Sequence, residues 1–161
     1  MSDKKTIVIN GKHSCDVLNV KKEHRTRIGS DATEFDHSQT KSHLMLDDVK
    51  CLKAIGRKII GYKYQDNKKN IHDTNTIISL QEAKQKLIDS DLKCTYCTKD
   101  VKVIYRIVRD PLQWTLDRID NKKNHSSANT LIACLHCNLK RRNINKEKFE
   151  FAQNMIIVKS K

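Results

Sequence analysis

Two Cys-x-x-Cys pairs carry the clearest chemistry in the sequence, Cys94 with Cys97 and Cys134 with Cys137. Two such pairs can place four thiolates in a tetrahedron around one Zn²⁺ ion, with Zn–S bonds of about 2.3 Å. A disulfide framework is the alternative, but no apolar signal segment follows the charged first residues, so we expect zinc. A redox role would suit one pair but hardly two. Because four thiolates complete the tetrahedron, we expect His136 not to be a ligand.

Side chains suited to phosphodiester hydrolysis follow between and after the two pairs. Asp117, Asp120, His125 and Asn129 lie between them, and Asn138 comes directly after the second pair. Hydrolysis needs a divalent cation at the reacting oxygens and a base that activates water. A hard cation such as Mg²⁺ prefers oxygen ligands and keeps several waters, so two protein ligands can be enough. Asp117 can supply a carboxylate oxygen and Asn138 an amide oxygen.

The segment that carries these side chains is predicted to fold in the order ββα. Residues 113–119 and 129–133 have strand patterns, residues 121–128 form a polar loop, and residues 135–143 are predicted to be a helix that begins inside the second cysteine pair. Trp114 is expected to be a core anchor beneath the strands rather than a platform for stacking bases.

This arrangement resembles the HNH (His-Me finger) endonucleases, in the zinc-knuckle subgroup that reads Asp-Arg-Ile-Asp. The sequences Trp-Thr-Leu-Asp-Arg-Ile-Asp-Asn at 114–121 and Cys-Leu-His-Cys-Asn-Leu-Lys-Arg-Arg at 134–142 are especially similar to HNH proteins of large double-stranded DNA viruses. The resemblance is strong over residues 94–151, weaker over 47–93 and absent over 1–45. It implies an α+β protein with a zinc-stapled ββα-metal domain that hydrolyses DNA phosphodiester bonds with Mg²⁺ or Mn²⁺.

The resemblance also implies a role for each motif residue. Asp117 and Asn138 correspond to the ligands of the catalytic cation, and Asn129 to the residue that fastens the loop by hydrogen bonds. In the majority pattern the residue after the aspartate is the histidine base, whereas here it is Arg118, as in the Asp-Arg-Ile-Asp subgroup. Arginine cannot deprotonate water, because its pKa is above about 12. Its forked donors can instead clamp a phosphate.

The general base must therefore come from another position. His125 and Asp120 both lie in the loop between the strands. A neutral histidine, with a pKa near about 6.5, suits the role better than a solvated aspartate. Another residue, a reaction without a side-chain base, and an inactive site are the remaining alternatives.

The charge of the chain favours a polyanionic partner. Its 161 residues include 32 Lys and Arg against 19 Asp and Glu, which gives a net charge of +13. A protein of this charge that contacts several phosphates should bind DNA with a steep salt dependence. Lys140, Arg141 and Arg142 follow Asn138 on the same predicted helix, where phosphate contact and a solvated surface are equally good interpretations.

We divide the chain into a basic N-terminal arm or small extension at 1–46, a connecting α/β segment at 47–78 and the HNH domain at 79–161. Residues 21–43 contain few apolar side chains, which favours a linker.

Further elements are predicted along this chain. Val49, Leu52 and Ile55 suit a helix, whereas residues 59–64 have a strand-like pattern. Ser79-Leu-Gln-Glu82 is a capping box for a helix that runs to about residue 90. The inward residues expected there are Leu80, Ala83, Leu87 and Ile88. A last helix should pack through residues 149, 152, 155 and 156.

The composition also bounds the location and the rival function. The longest apolar run is five residues, 131–135, so we expect no membrane span and a soluble, intracellular, non-secreted protein. The rival to an endonuclease is a non-catalytic zinc-dependent DNA-binding protein with a degenerate HNH site. The substitution at position 118 keeps that rival open, whereas the presence of both Asp117 and Asn138 argues for the enzyme.

Overall fold

A computed structural model describes residues 35–155, which form five helices and a two-stranded antiparallel sheet. The protein is therefore an α+β protein, as predicted. In chain order the elements are α1 (His37–Met45), α2 (Val49–Lys68), α3 (Leu80–Asp89), β1 (Trp114–Arg118), β2 (Thr130–Cys134), α4 (Leu135–Arg141) and α5 (Lys146–Asn154).

The sheet and the helix after it have the predicted ββα order. β1 pairs with β2 from Trp114 opposite Cys134 to Arg118 opposite Thr130. All five residues of β1 are buried, because the strand has packed side chains on both faces. The observed strands and α4 lie within two residues of the predicted bounds, which is the usual uncertainty for element ends.

Helix α2 corrects the prediction of a strand over residues 59–64. Ile55, Ile59 and Tyr62 are buried on one side of a continuous helix, whereas Ile60 and Tyr64 are 68% and 70% exposed. The apolar residues at 59, 60, 62 and 64 imitate strand alternation, but the buried ones are spaced by three and four residues, which is the helical period.

Helix α1 corrects the linker prediction over part of residues 21–43. The Asp36 side chain accepts a hydrogen bond from the Gln39 backbone N–H at 2.7 Å, and the Gln39 side chain accepts one from the Asp36 N–H at 3.1 Å. This capping box satisfies two backbone donors at the helix start, and Leu44 buries the helix against the core. The short apolar run at residues 6–9 favours a strand, and Cys15 is an isolated cysteine that suits a buried position; both lie outside the described residues.

The predicted capping box of α3 is confirmed. The Ser79 hydroxyl accepts a hydrogen bond from the Glu82 N–H at 3.2 Å, and the Glu82 carboxylate accepts one from the Ser79 N–H at 2.8 Å. The helix ends at Asp89, one residue before the expected end. Its predicted inward residues pack against the core, with Ala83 and Leu87 fully buried.

One hydrophobic core connects elements from both sides of position 79. It contains Leu44 of α1, Ile55 of α2, Leu87 of α3, Trp114 of β1 and Phe149 of α5. Trp114 is fully buried at its centre, so the core-anchor interpretation is confirmed.

Helix α5 corrects the prediction of an apolar face through residues 149, 152 and 155. Phe149 is buried, whereas Ala152 and Met155 are exposed, because only the first turn of the helix lies against the core. Residue 156 lies outside the described residues. None of the helices between residues 35 and 155 has the length and apolar character needed to cross a bilayer.

Candidate functional site

The four cysteines of the two pairs form a cluster that can hold a metal ion such as zinc. Their sulfur atoms all lie within 4.8 Å of one another, and the sulfurs of Cys97 and Cys134 are 3.8 Å apart. A tetrahedron with Zn–S bonds of about 2.3 Å has S···S edges of about 3.8 Å, so the spacing fits Zn²⁺. Every described cysteine is a free thiol, and His136 is exposed and is not part of the cluster. We call Cys94, Cys97, Cys134 and Cys137 the four-cysteine cluster.

The sheet fixes both halves of the four-cysteine cluster. Thr95, inside the first pair, donates hydrogen bonds from its backbone N–H and its hydroxyl to the Ile132 carbonyl, both at 2.9 Å. Cys134 ends β2 and is the N-cap of α4, and its sulfur accepts a hydrogen bond from the Cys137 N–H at 3.4 Å. The two pairs therefore meet at the junction of β2 and α4.

Tyr96 connects the four-cysteine cluster to Asp117. Its hydroxyl donates a hydrogen bond of 2.5 Å to Asp117 Oδ2, and its ring packs edge-on against Phe149 with 5.0 Å between centroids. Burial, together with the neighbouring Asp117 carboxylate, raises the pKa of Tyr96 above its ordinary value, so the hydroxyl keeps its proton. The residue between two cysteines thus holds one oxygen of the predicted catalytic carboxylate.

The second oxygen of Asp117 is held by Arg141, which corrects the prediction that Arg141 contacts DNA. Arg141 Nη1 donates to Asp117 Oδ1 at 3.0 Å, and Nη2 donates to the carbonyls of Arg118 and Ile119 at 2.8 and 3.0 Å. Arg141 is only 1% exposed, because its position on α4 faces the end of β1. Burial nevertheless raises the pKa of Asp117 above its ordinary value, against the effects of Tyr96 and Arg141.

His125 forms a buried pair with Asp66, a residue that the sequence analysis missed. His125 Nδ1 lies 2.7 Å from Asp66 Oδ1, and the His125 backbone N–H donates to Asp66 Oδ2 at 2.8 Å. The imidazole also stacks on Tyr62 with 4.5 Å between ring centroids. Burial lowers the pKa of His125 below its ordinary value despite the opposing effect of Asp66, so the ring is neutral at pH 7. The sequence signal that could have found Asp66 is its position four residues after Tyr62, which places an aspartate on the buried side of α2.

Arg118 lies beside this pair and is 7% exposed. Its Nη1 atom is 3.6 Å from Asp66 Oδ1 and donates a hydrogen bond of 3.2 Å to the Lys123 carbonyl. One end of the Arg118 guanidinium therefore has a structural role, because it holds the loop after β1 through the Lys123 carbonyl.

A cavity of about 800 Å³ brings together four of the predicted catalytic residues, Asp117, Arg118, His125 and Asn138. Asn138 Nδ2 donates to the Thr115 hydroxyl at 3.0 Å, which fixes the amide. Its Oδ1 atom accepts no hydrogen bond from the described residues. Each Asp117 carboxylate oxygen accepts one hydrogen bond and keeps further lone pairs. The carboxylate and amide oxygens at this cavity therefore suit a hard divalent cation as ligands. Within residues 35–155, however, the four-cysteine cluster is the one group of three or more His, Cys, Asp or Glu side chains close enough to share an ion.

The other predicted residues lie elsewhere. Asn129 fastens the loop, because its amide donates to the carbonyls of Asp120 and Asn124 and accepts from the Asp120 N–H. Asp120 lines a separate cavity of about 580 Å³. Lys140 is exposed and lines neither of these cavities, whereas Arg142 is exposed and lines the larger one.

No protein-family model matches this chain, and it matches no curated protein and no solved structure.

Proposed function

We propose that the protein is a metal-dependent endonuclease of the HNH type that hydrolyses DNA phosphodiester bonds in the larger cavity. The observation that carries this proposal is the buried Asp66–His125 pair, which lies at the same cavity as Asp117 and Asn138. A histidine, a carboxylate and a free amide oxygen are the groups needed to activate water beside a hard cation.

His125 is the general base in this proposal. A carboxylate only accepts hydrogen bonds, so Asp66 keeps the proton of the neutral imidazole on Nδ1. Nε2 then holds the free lone pair, and Tyr62 keeps the plane of the ring fixed by stacking. Because burial lowers its pKa, the ring is unprotonated at neutral pH and is available to accept a proton from water.

Asp117 and Asn138 would hold the catalytic Mg²⁺ or Mn²⁺ ion. Such an ion stabilises the charge that develops on the phosphate oxygens. Tyr96 and Arg141 set the orientation of the Asp117 carboxylate, and Thr115 sets that of the Asn138 amide. The four-cysteine cluster would hold a structural Zn²⁺ ion that keeps Tyr96 in place.

A second candidate is a zinc-dependent DNA-binding protein without catalytic activity. The observation that favours it is the ion pair between Arg141 and Asp117, since a guanidinium at 3.0 Å offsets the charge that would attract a cation. The two candidates share the zinc site and the basic surface, so only a test of cleavage separates them.

The test is nicking of supercoiled plasmid with Mg²⁺, with Mn²⁺ and without added metal. We expect metal-dependent nicking that His125→Ala slows by about 10²- to 10⁴-fold. His136→Ala is the matched control, because that exposed histidine lies outside the cavity, and it should leave the rate unchanged. Asn138→Ala should abolish nicking while leaving the zinc content intact. If the wild-type protein binds DNA but never nicks it with any divalent metal, the DNA-binding candidate replaces the enzyme.

A further inference from the structure

Helix α2 contributes basic side chains to the larger cavity from outside the ββα unit. The lining contains six Lys and Arg residues and a single carboxylate, that of Asp117. Lys58 is committed to the fold through hydrogen bonds to Gln113 and Trp114, and Arg118 through its contact with the loop. Four of the six are exposed, and their side chains make no hydrogen bond or ion pair within residues 35–155. These are Arg57, Lys69, Arg109 and Arg142.

Two of these four exposed cations, Arg57 and Lys69, lie in one row of residues along α2. Arg57, Gly61, Gln65 and Lys69 all line the cavity and follow one another at intervals of four residues. Successive members are about 40° apart around the helix, so the row winds gradually from Arg57 to Lys69, the residue that ends the helix. Arg57 and Lys69 are twelve positions apart, which corresponds to about 18 Å along the helix. A Cβ atom on Gly61 would meet no other atom within 4 Å, so packing does not require a glycine there. The row therefore has a cation at each end and no side chain at Gly61.

The aromatic lining favours a duplex over a single strand. Proteins that bind single-stranded nucleic acid stack its bases on exposed aromatic rings. The two aromatic residues of the lining, Tyr62 and Tyr105, are only 8% and 4% exposed, and the Tyr62 ring is already stacked on His125. Neither ring is therefore open to stack a base, whereas the exposed cations can contact phosphates.

We propose that this row of α2 is a second DNA-binding wall, and that Arg57 and Lys69 contact phosphates of duplex DNA whose reacting strand lies against His125. This inference rests on the proposed function, because it takes DNA as the substrate, and it names the duplex form. The wall would hold the DNA duplex against the site, where the motif residues of the ββα unit would cleave it.

The test measures binding of a 30-base-pair duplex by fluorescence anisotropy at several salt concentrations, without added divalent metal. Arg57→Gln/Lys69→Gln removes two phosphate contacts, so the slope of log K against log salt should decrease by about 1.8. If the variant and the wild type bind equally at about 1 M salt, where the electrostatic contribution vanishes, this corresponds to about 60-fold weaker binding at about 0.1 M salt. Lys53→Gln/Lys63→Gln removes the same charge from exposed positions of α2 that do not line the cavity, and it should bind like the wild type. Arg57→Lys/Lys69→Arg, which keeps both charges, should also bind like the wild type.

Two results would overturn the second wall. One is an equal loss of affinity in the two Gln double variants, which would mean that only the total charge matters. The other is tighter binding of a single strand of the same length than of the duplex. Because no cleavage is involved, a wild-type protein that shows the expected salt slopes but never nicks plasmid would retain the wall and disprove the proposed hydrolysis.

Discussion

Replacement of Asp66 by asparagine tests the link between α2 and the predicted base. Asp66 is completely buried, and each of its oxygens contacts His125, one at the ring and one at the backbone N–H. Asparagine has nearly the same shape but only one acceptor oxygen. If that oxygen keeps the backbone hydrogen bond, the amide NH₂ faces Nδ1 and donates to it. The ring proton then moves to Nε2, and the imidazole can no longer accept a proton there.

The size of the effect follows from these contacts. Loss of the base in its working tautomer should slow nicking by about 10²- to 10⁴-fold. The same change leaves the buried guanidinium of Arg118 without the carboxylate that lies 3.6 Å away. Removal of one partner from a buried charge pair lowers the free energy of unfolding by about 3 to 5 kcal/mol. Since domains are stable by about 5 to 15 kcal/mol, most of the Asp66→Asn protein should remain folded.

The assay is single-turnover nicking together with urea unfolding of each variant. The double variant Asp66→Asn/His125→Ala should be no slower than His125→Ala alone, because both changes remove one function. Asp120→Asn, the same substitution at the alternative base, should leave the rate unchanged. A folded Asp66→Asn protein that nicks at the wild-type rate would refute the reasoning, and additive losses would show that Asp66 acts independently of His125.

Three further predictions concern the metal, the tyrosine and pH. Metal analysis should give about one zinc per chain, and a zinc chelator should unfold the ββα unit, as followed by circular dichroism, whereas disulfides without metal would contradict this. Tyr96→Phe leaves a buried Asp117 oxygen without its donor, so urea unfolding should show a loss of about 1 to 3 kcal/mol with unchanged zinc content; an unchanged midpoint would contradict it. Because the pKa of His125 is lowered in the folded protein, nicking should decline only as pH falls below about 6.5. The unfolded chain binds this proton more readily, so the free energy of unfolding should also decrease over the same pH range. A pH–rate profile that is identical in His125→Ala would count against the histidine.

Local patterns allowed the sequence to predict the ββα unit and the four-cysteine cluster. The spacing of two residues within each pair fixes neighbouring thiolates in one turn, and the hydrogen bonds from Thr95 to the Ile132 carbonyl of β2 bring the two pairs together. The capping box before α3 is equally local, because Ser79 and Glu82 satisfy each other's backbone donors three residues apart. Such features depend on few distant contacts, so tertiary packing did not override them.

The missed features depend on contacts between distant parts of the chain. Asp66 and His125 are 59 residues apart, and the position of Asp66 on the buried side of a helix does not indicate which residue it contacts. Arg141 lies in the sequence between Lys140 and Arg142, which are both exposed. Only the direction of its side chain on α4 places it against Asp117. Residues 59–64 were predicted as a strand because a short apolar pattern suits both periods, and the packing of Ile59 and Tyr62 decided for the helix.

The contact between His125 and α2 also restricts how this protein can recombine during evolution. A segment beginning at residue 79 contains both cysteine pairs, both strands and every motif residue, yet it lacks Asp66 and Tyr62. Transfer of that segment to another gene would carry the recognisable signature and leave the imidazole without the carboxylate that sets its tautomer. Transfer of α2 alone into another protein would be equally damaging, because the buried Asp66 would then face a different loop. The two segments must therefore be inherited together, although only one of them contains the motif.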